Sequence, residues 1–281
     1  MGRRFVLRAS GVPRKGVMAA LSALVAESDG LILECQVHRE DARFFLRNVI
    51  EVSEEDGEVR LRRDLDGLAR ELGLDVELRA ADHRPRVLIA VSRLGHCLYD
   101  LLHRWRTGLL PVEVVGVVSN HNDMRSFVDW NGLAYHHLPI VSGRKVEQEA
   151  QIEVIIERER VDLVVLARYM QILSPGLCER LAGRCINIHH SFLPSFKGAR
   201  PYHQAHKRGV KIVGATAHFV TTDLDEGPII EQDVQRVHHG LTPEALVNLG
   251  HDVERRVLAR AVTWHAEGRV FLNGERTVVF S

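Results

Sequence analysis

The stretch INIHHSFLPSFKGARPYHQAHKRGVKIVGATAHFVTTDLDEGPII, residues 186–230, holds two apolar runs that end in polar residues able to act together. The first run, CINIH at residues 185–189, reads as a strand. Period-2 alternation puts Asn187 and His189 on one side of its carboxyl end, where open α/β sheets bind ligands. A loop, SFLPSFKGARP, leads to a second strand, GATAHFV, in which His218 shares a face with Thr216 and Val220. That strand runs into TTDLDEGP, so Asp223, Asp225 or Glu226 offers a carboxylate from a loop ended by Gly227 and Pro228. An amide, an imidazole and a carboxylate can polarise a carbonyl, hold a tetrahedral oxyanion and orient a nucleophile without any Ser or Cys. If the first strand continued past His189, His190 would face the opposite side.

Upstream of this stretch lie VLIAV (87–91), VEVVGVV (112–118) and LVVLA (163–167), with amphipathic segments such as 146–158 between them. Near-continuous β-branched runs are what a parallel sheet buried on both faces requires, so the spacing predicts a doubly wound α/β domain with a mostly parallel sheet. SRLGHCLYDLL follows the first of these strands with Gly95 as its only glycine. The Gly-rich cradle of a phosphate site is therefore missing, and Ser92 and Arg93 read as loop residues. Downstream, residues 211–220 and 228–237 read as strands. A long helix is predicted with Thr242 as N-cap, Pro243 at its first position, and Leu246, Leu249, Val253, Val257 and Ala261 on its apolar face. The tail RVFLNGERTVVF carries Asn273-Gly274 between alternating apolar residues, a hairpin signal.

The first 80 residues have a different rhythm. FVLRA (5–9) reads as a strand, and a turn with Pro13 and Gly16 follows. Val17, Ala20, Leu21, Leu24 and Val25 then recur at helical spacing. Strands at 31–37 and 44–52, a helix carrying Leu61, Leu65, Leu68 and Leu72, and a strand at 76–80 complete the order of a split βαβ, ferredoxin-like unit. The polar segment ADHRP (81–85) marks a boundary, giving expected domains 1–83 and 84–281.

Composition narrows the partners. The chain has 281 residues, of which 45% are hydrophobic and 26% charged, enough for a real core and against disorder. Lys+Arg and Asp+Glu are both 37, so no global field draws the protein to nucleic acid or to an anionic membrane. Cys35, Cys97, Cys178 and Cys185 show no C-x-x-C spacing, which argues against a zinc site or disulfide framework and for a reducing compartment. The start MGRRFVLRAS lacks the apolar core of a secretory signal, Val6 stands where myristoylation wants Ser or Thr, and no apolar run approaches the roughly 18 residues of a membrane span. A cytoplasmic protein is expected. His203 and His206 pair at i, i+3 on a helix without a third ligand in sight, so no metal is expected.

The motifs I-N-I-H and L-D-x-G-P resemble those of formyltransferase-fold enzymes that use 10-formyltetrahydrofolate. With A-R-Y-M-Q-I-L-S-P (167–175), G-A-R-P-Y-H-Q-A and an ACT-like N-terminal unit, essentially the whole chain resembles the formyltetrahydrofolate deformylase family. The resemblance implies hydrolysis of 10-formyltetrahydrofolate to formate and tetrahydrofolate within one-carbon metabolism and purine biosynthesis. It implies no further cofactor, and it implies a homo-oligomer. It makes Asn187, His189 and Asp225 the catalytic three. Met170, Gln171, Ile172 and Leu173, with Thr221, Thr222, Asp223 and Leu224, would contact the folate, and His190 and His218 would line the pocket. Lys197 and the run from Arg200 to His203 are candidates for the substrate's glutamate tail, with solvated loop residues the plainer reading. The related transferases usually carry Pro after N-I-H, a phosphate-holding Gly-Ser loop and no ACT-like unit, whereas His190 and Ser92 to Gly95 stand here. Two readings stay beside the hydrolase: formyl transfer to a small amine, and a folate sensor without catalysis. In the ACT-like unit Val12 stands where that family usually has Asp, so the unit reads as an oligomerisation module more than as an amino-acid effector site.

Overall fold

The computed structural model describes residues 2–53, 55–141, 143–191 and 201–281. Contacts divide the chain into two compact units. The first runs to His83 and includes Glu267–Phe271 and Val278–Ser281; the second holds Arg84–Ala266 and Leu272–Thr277.

The first unit contains β1 (Arg3–Gly11), α1 (Val17–Glu27), β2 (Gly30–Glu40), β3 (Arg43–Val52), α2 (Glu55–Leu72) and β4 (Asp75–Ala80), the order expected from the sequence. Its sheet is antiparallel with order β2-β3-β1-β4, so β2 is an edge. Phe5, Leu7 and Ala9 of β1 and Leu46 and Ile50 of β3 form one core with Leu21, Val25, Leu61 and Leu65 of the helices. Alternation turns Phe45 the other way, where it meets Phe271 edge to face at 5.7 Å, beside Val278 and Phe280. The C-terminal tail, expected with the second domain, thus groups its apolar residues with the first unit. Phe45 on the second face of a central strand gives them their partner.

The second unit contains β5 (Arg86–Val91), α3 (His96–Arg106), β6 (Glu113–Ser119), α4 (Arg125–Trp130), β7 (Tyr135–His137), α5 (Lys145–Arg158), β8 (Leu163–Leu166) and α6 (Pro175–Arg180). After these come β9 (Cys185–His189), α7 (Pro201–Arg208), β10 (Ile212–Phe219), β11 (Ile229–Arg236) and α8 (Pro243–Ala266), and the chain ends in the hairpin β12 (Val270–Asn273) and β13 (Arg276–Val279). The seven-stranded sheet has order β11-β10-β9-β8-β5-β6-β7. Strands β9, β8, β5, β6 and β7 are parallel, while β10 is antiparallel to both β9 and β11. Leu88, Ala90, Val164 and Leu166 bury one face against Ile152, Ile155 and Ile156 of α5, and Leu177 and Leu181 join them. Helix α8 packs against β9, β10, β11 and α3. Its N-cap is as expected: Thr242 Oγ1 accepts the Ala245 N–H at 3.2 Å. Strand β7 went unread because three residues carry no periodicity.

Phe45 buries its ring completely between the sheet and the tail. Phe45→Ala should cost about 3–5 kcal/mol, read as a lowered urea midpoint, whereas Val12→Ala at a 57% exposed position should stay within about 0.5 kcal/mol.

Candidate active site

A cleft of about 230 Å³ opens at the carboxyl ends of β8 and β9, beside the point where the strand order reverses between β8 and β5. All thirteen residues expected from the sequence line it: Asn187, His189 and Asp225; the loop from Met170 to Leu173; Thr221 to Leu224; His190 and His218. Leu166, Arg168, Tyr169, Cys178, Ile188 and Val220 complete the wall.

Strand pairing assembles the centre. Antiparallel register sets His218 of β10 opposite Asn187 of β9, and Thr216 opposite His189. His218 Nδ1 lies 2.8 Å from the Phe219 carbonyl, which can only accept, so Nδ1 carries a proton. Its Nε2 stands 3.3 Å from Asn187 Nδ2. That amide donates to Asp225 Oδ1 at 3.4 Å. Asp225 Oδ2 is 3.2 Å from His189 Nδ1, and His218 Nε2 is 3.7 Å from Oδ1. Of the three acids the sequence left open, Asp225 is the one that reaches both imidazoles, while Asp223 and Glu226 are exposed. Burial alone would push the Asp225 carboxyl up; the His189 and His218 contacts outweigh it and hold the group well below the usual carboxylate range. His189 Nε2 is buried and has no hydrogen-bond partner among the described residues, so it is available to a ligand.

The loop that presents Asp225 is drawn tight. Asp225 adopts the left-handed conformation (φ 59°), and the Phe219 N–H closes the loop on the Pro228 carbonyl at 2.9 Å. A Cβ on Gly227 would stand 1.8 Å from the Phe219 carbonyl oxygen, so only glycine permits this closure. The opposite wall is held at both ends. Ser92 Oγ donates to Asn120 Oδ1 and accepts the Met170 N–H, and Glu149 Oε1 accepts the Ser174 N–H. Between the walls Met170, Ile172 and Leu224 remain exposed, an apolar rim suited to a flat aromatic ligand.

His190 departs from the alternation. Strand β9 ends at His189, so the next ring is free to turn back, and the two imidazoles stack with centroids 4.5 Å apart. His190 Nδ1 is 3.1 Å from Arg168 NH1. Arg168, at φ 63°, pairs through Nε with Glu254 Oε2 at 3.5 Å. Glu254 is fully buried and accepts from Tyr202 OH at 2.6 Å and from His96 Nε2 at 2.7 Å. Tyr202 reaches this carboxylate because Gly250 has no side chain; a Cβ there would lie 2.1 Å from the ring. The hydroxyl is therefore committed to Glu254 and not to a substrate tail. Lys197 and Arg200 lie outside the described residues, and His203 is exposed on α7. His96, His251 and Glu254 also present three ligand atoms within 4.8 Å of one another. Both Glu254 oxygens already accept from neighbours and a guanidinium stands beside them, so the trio reads as an ionic network and not as a metal seat. Sequence reading missed this network. Its one signal was an acid among Gly250, Val253 and Val257 on the buried face of α8.

The titrating groups set the acid response. Burial, then the Arg168 charge, lowers His190 from 6.5 to about 4; burial, then His96, lowers His251. The unfolded chain therefore binds these protons first, so stability is complete above about 6.5 and falls as pH drops toward 4. Asp225 and Glu254, both held low, add a further loss at more acid pH. The urea midpoint should thus decline from about 6.5 downward, and His190→Asn should flatten the decline between 6.5 and 4; a wild-type midpoint level over that interval contradicts the assignment.

A family model described as "Formyl transferase" matches residues 85–262, and one described as "ACT domain" matches residues 3–79. A protein named formyltetrahydrofolate deformylase from Corynebacterium sp. (strain P-1) is 55% identical over 219 residues, 78% of this chain and 77% of that relative. One of the same name from Bacillus subtilis (strain 168) is 42% identical over 270 residues, 95% of this chain and 90% of the relative. The crystal structure of formyltetrahydrofolate deformylase from Burkholderia mallei superposes with a TM-score of 0.95 at 50% identity, covering 99% of this chain and 100% of that one. Matched along nearly its whole length in sequence and in fold, the chain belongs to the formyltetrahydrofolate deformylase family, with an ACT domain followed by a formyl transferase domain.

Proposed function

We propose that the protein hydrolyses 10-formyltetrahydrofolate to formate and tetrahydrofolate, and that Asn187, His189 and Asp225 perform the chemistry. The observation that carries this reading is the convergence of these three side chains in one apolar-rimmed cleft. The pteridine sits between the Met170 to Leu173 loop and the Thr221 to Asp225 loop, and the N10-formyl oxygen points at Asn187 and His189. Water adds to the formyl carbon, and the oxyanion accepts from the Asn187 amide and from the Nε2–H of a His189 imidazolium. The Asn187 bonds to His218 and Asp225 are long in the free site, so the amide can turn a hydrogen to the oxyanion. Asp225, ionised throughout the working range, orients the water by accepting its hydrogen. It takes that proton as the C–O bond forms, and the departing N10 receives it. The remaining proton leaves when formic acid ionises.

Water as acceptor is favoured by the loop after β5. Ser92 there is spent on Asn120 and Met170, and a single glycine offers no amide cradle for the phosphate of an amine substrate. The reading calls on no cofactor, nucleic acid or membrane partner, and places the chain in the cytoplasm; no described helix is long and apolar enough to cross a membrane. The ACT domain associates copies through β2, an open edge on which Leu31, Leu33 and Val37 are exposed.

Mixing the protein with 10-formyltetrahydrofolate and no amine should yield stoichiometric formate. Asn187→Ala should lower kcat by about 10² to 10³ with an unchanged circular dichroism spectrum. Formate that appears only with an added amine would establish transfer, and binding without formate would establish a sensor. Glycine or methionine should leave the rate unaltered while the oligomer persists on a sizing column; a rate response to either would make the ACT domain an effector site.

A further inference from the structure

Five groups of the second unit form a row with a carboxylate at each end and two stacked rings inside it: Asp225, His189, His190, Arg168 and Glu254. The row joins the cleft to the buried network under it. A guanidinium only donates, so the 3.1 Å contact from Arg168 NH1 makes His190 Nδ1 an acceptor and leaves the ring's single proton on Nε2. That Nε2 is buried and meets no hydrogen-bond partner among the described residues. Two imidazoles at 4.5 Å do not both ionise readily, because like charges repel at that distance and the site is largely shielded from solvent. Here the choice between them is built in. The anion stands at the His189 end and the cation at the His190 end.

We propose that Arg168, anchored by Glu254, is a positioning residue that fixes His190 as the neutral Nε2–H tautomer, so that of the two stacked imidazoles His189 is the one left to take up a proton. The groups that face His190 are His189 from β9, Asp225 from the loop after β10, Arg168 from the turn after β8, Glu254 from α8 and the Tyr202 ring from α7 at 6.4 Å. Of the three charged members, Asp225 and Glu254 favour a charge on His190, but Arg168 touches the ring directly at 3.1 Å, so protonating His190 brings a second cation against that guanidinium, whereas protonating His189 forms an ion pair with Asp225. The lowering of His190 to about 4, caused by burial and then by Arg168, is in the same sense. Glu254 contributes by holding the guanidinium in place. Tyr202 and His96 each donate to one oxygen of that carboxylate, which helps to keep it ionised despite its full burial. The proposal deepens the hydrolase reading and rests on it only for the step that His189 performs.

The test is the nitrogen spectrum of the full-length protein labelled with ¹⁵N in histidine, with each ring assigned through His→Asn variants. His190 of the wild type should show a protonated Nε2 and an unprotonated Nδ1 at pH 7 and remain neutral at pH 5. Arg168→Met should move its titration upward by more than one pH unit and shift the acid limb of the kcat/KM profile for formate release, which a merely structural loss of Arg168 would not do. A wild-type His190 protonated on Nδ1, or one that titrates together with His189 above pH 6, overturns the proposal even if the variant does not fold. Formate release fails independently of the spectrum: a neutral Nε2–H His190 in a protein that releases no formate sinks the hydrolase reading and leaves the tautomer assignment standing.

Discussion

Everything in the cleft follows from one pairing, the antiparallel ladder between β9 and β10 in a sheet otherwise parallel from β9 to β7. A parallel partner arriving by a crossover would bring its own carboxyl end to the cleft, and the loop after it would leave toward a helix. An antiparallel β10 instead sets His218 beside Asn187 within the ladder. The chain then turns at Val220 and returns along β11, so the short loop from Thr221 to Glu226 is pinned between two strands. The left-handed Asp225 and the glycine at 227 are what such a tight return demands. Backbone strain is accepted there because the Phe219 to Pro228 hydrogen bond and the ladder on both sides over-determine the loop.

The second physical theme is a charge buried under the site. Glu254 has no exposed surface, and an isolated carboxylate in that position would cost several kcal/mol. It is tolerated because a tyrosine hydroxyl, an imidazole N–H and a guanidinium surround it. The glycine at 250 on α8 and the phenol of Tyr202 on α7 are two halves of one fit, since either a side chain at 250 or a shorter ring at 202 would leave the carboxylate underbonded. This cluster ties α3, α7, α8 and the turn after β8 together behind the cleft, which gives His190 a rigid backing.

Much of this was legible in the amino-acid sequence. The alternating and β-branched runs read as strands, the Thr242-Pro243 start of α8 and the Asn273-Gly274 hairpin were each signalled locally, and the residues around N-I-H and L-D-x-G-P were placed in one pocket. What the sequence could not carry was anything set by distant partners. Spacing alone leaves three nearby acids open; the resemblance to L-D-x-G-P picks Asp225, and the loop conformation supplies the physical reason. The turning of His190 back onto His189 depends on where a strand stops. The grouping of the tail with the first unit depends on a phenylalanine more than 200 positions away, Phe45 against Phe271. Buried ions are harder still, because Arg168 and Glu254 look like surface residues until their partners are known.

These two themes meet in the difference between hydrolysis and transfer. A transferase needs its amine nucleophile bound in a fixed pose, and a phosphate cradle is one way to supply that. A hydrolase needs only a polarised carbonyl and a place where water is oriented. With Ser92 consumed in bracing the Met170 turn, the wall that a phosphate cradle would occupy is structural. With Arg168 turned back onto Glu254 and His190, the one guanidinium among the described residues of the cleft wall already has a carboxylate partner and faces the His190 ring. The remaining polar groups point inward at a single small volume, Asn187 and His189 on one side and Asp225 between them. In the proposed hydrolysis the formyl oxygen and the attacking water would be served by two neighbours at one end of the row, His189 and Asp225.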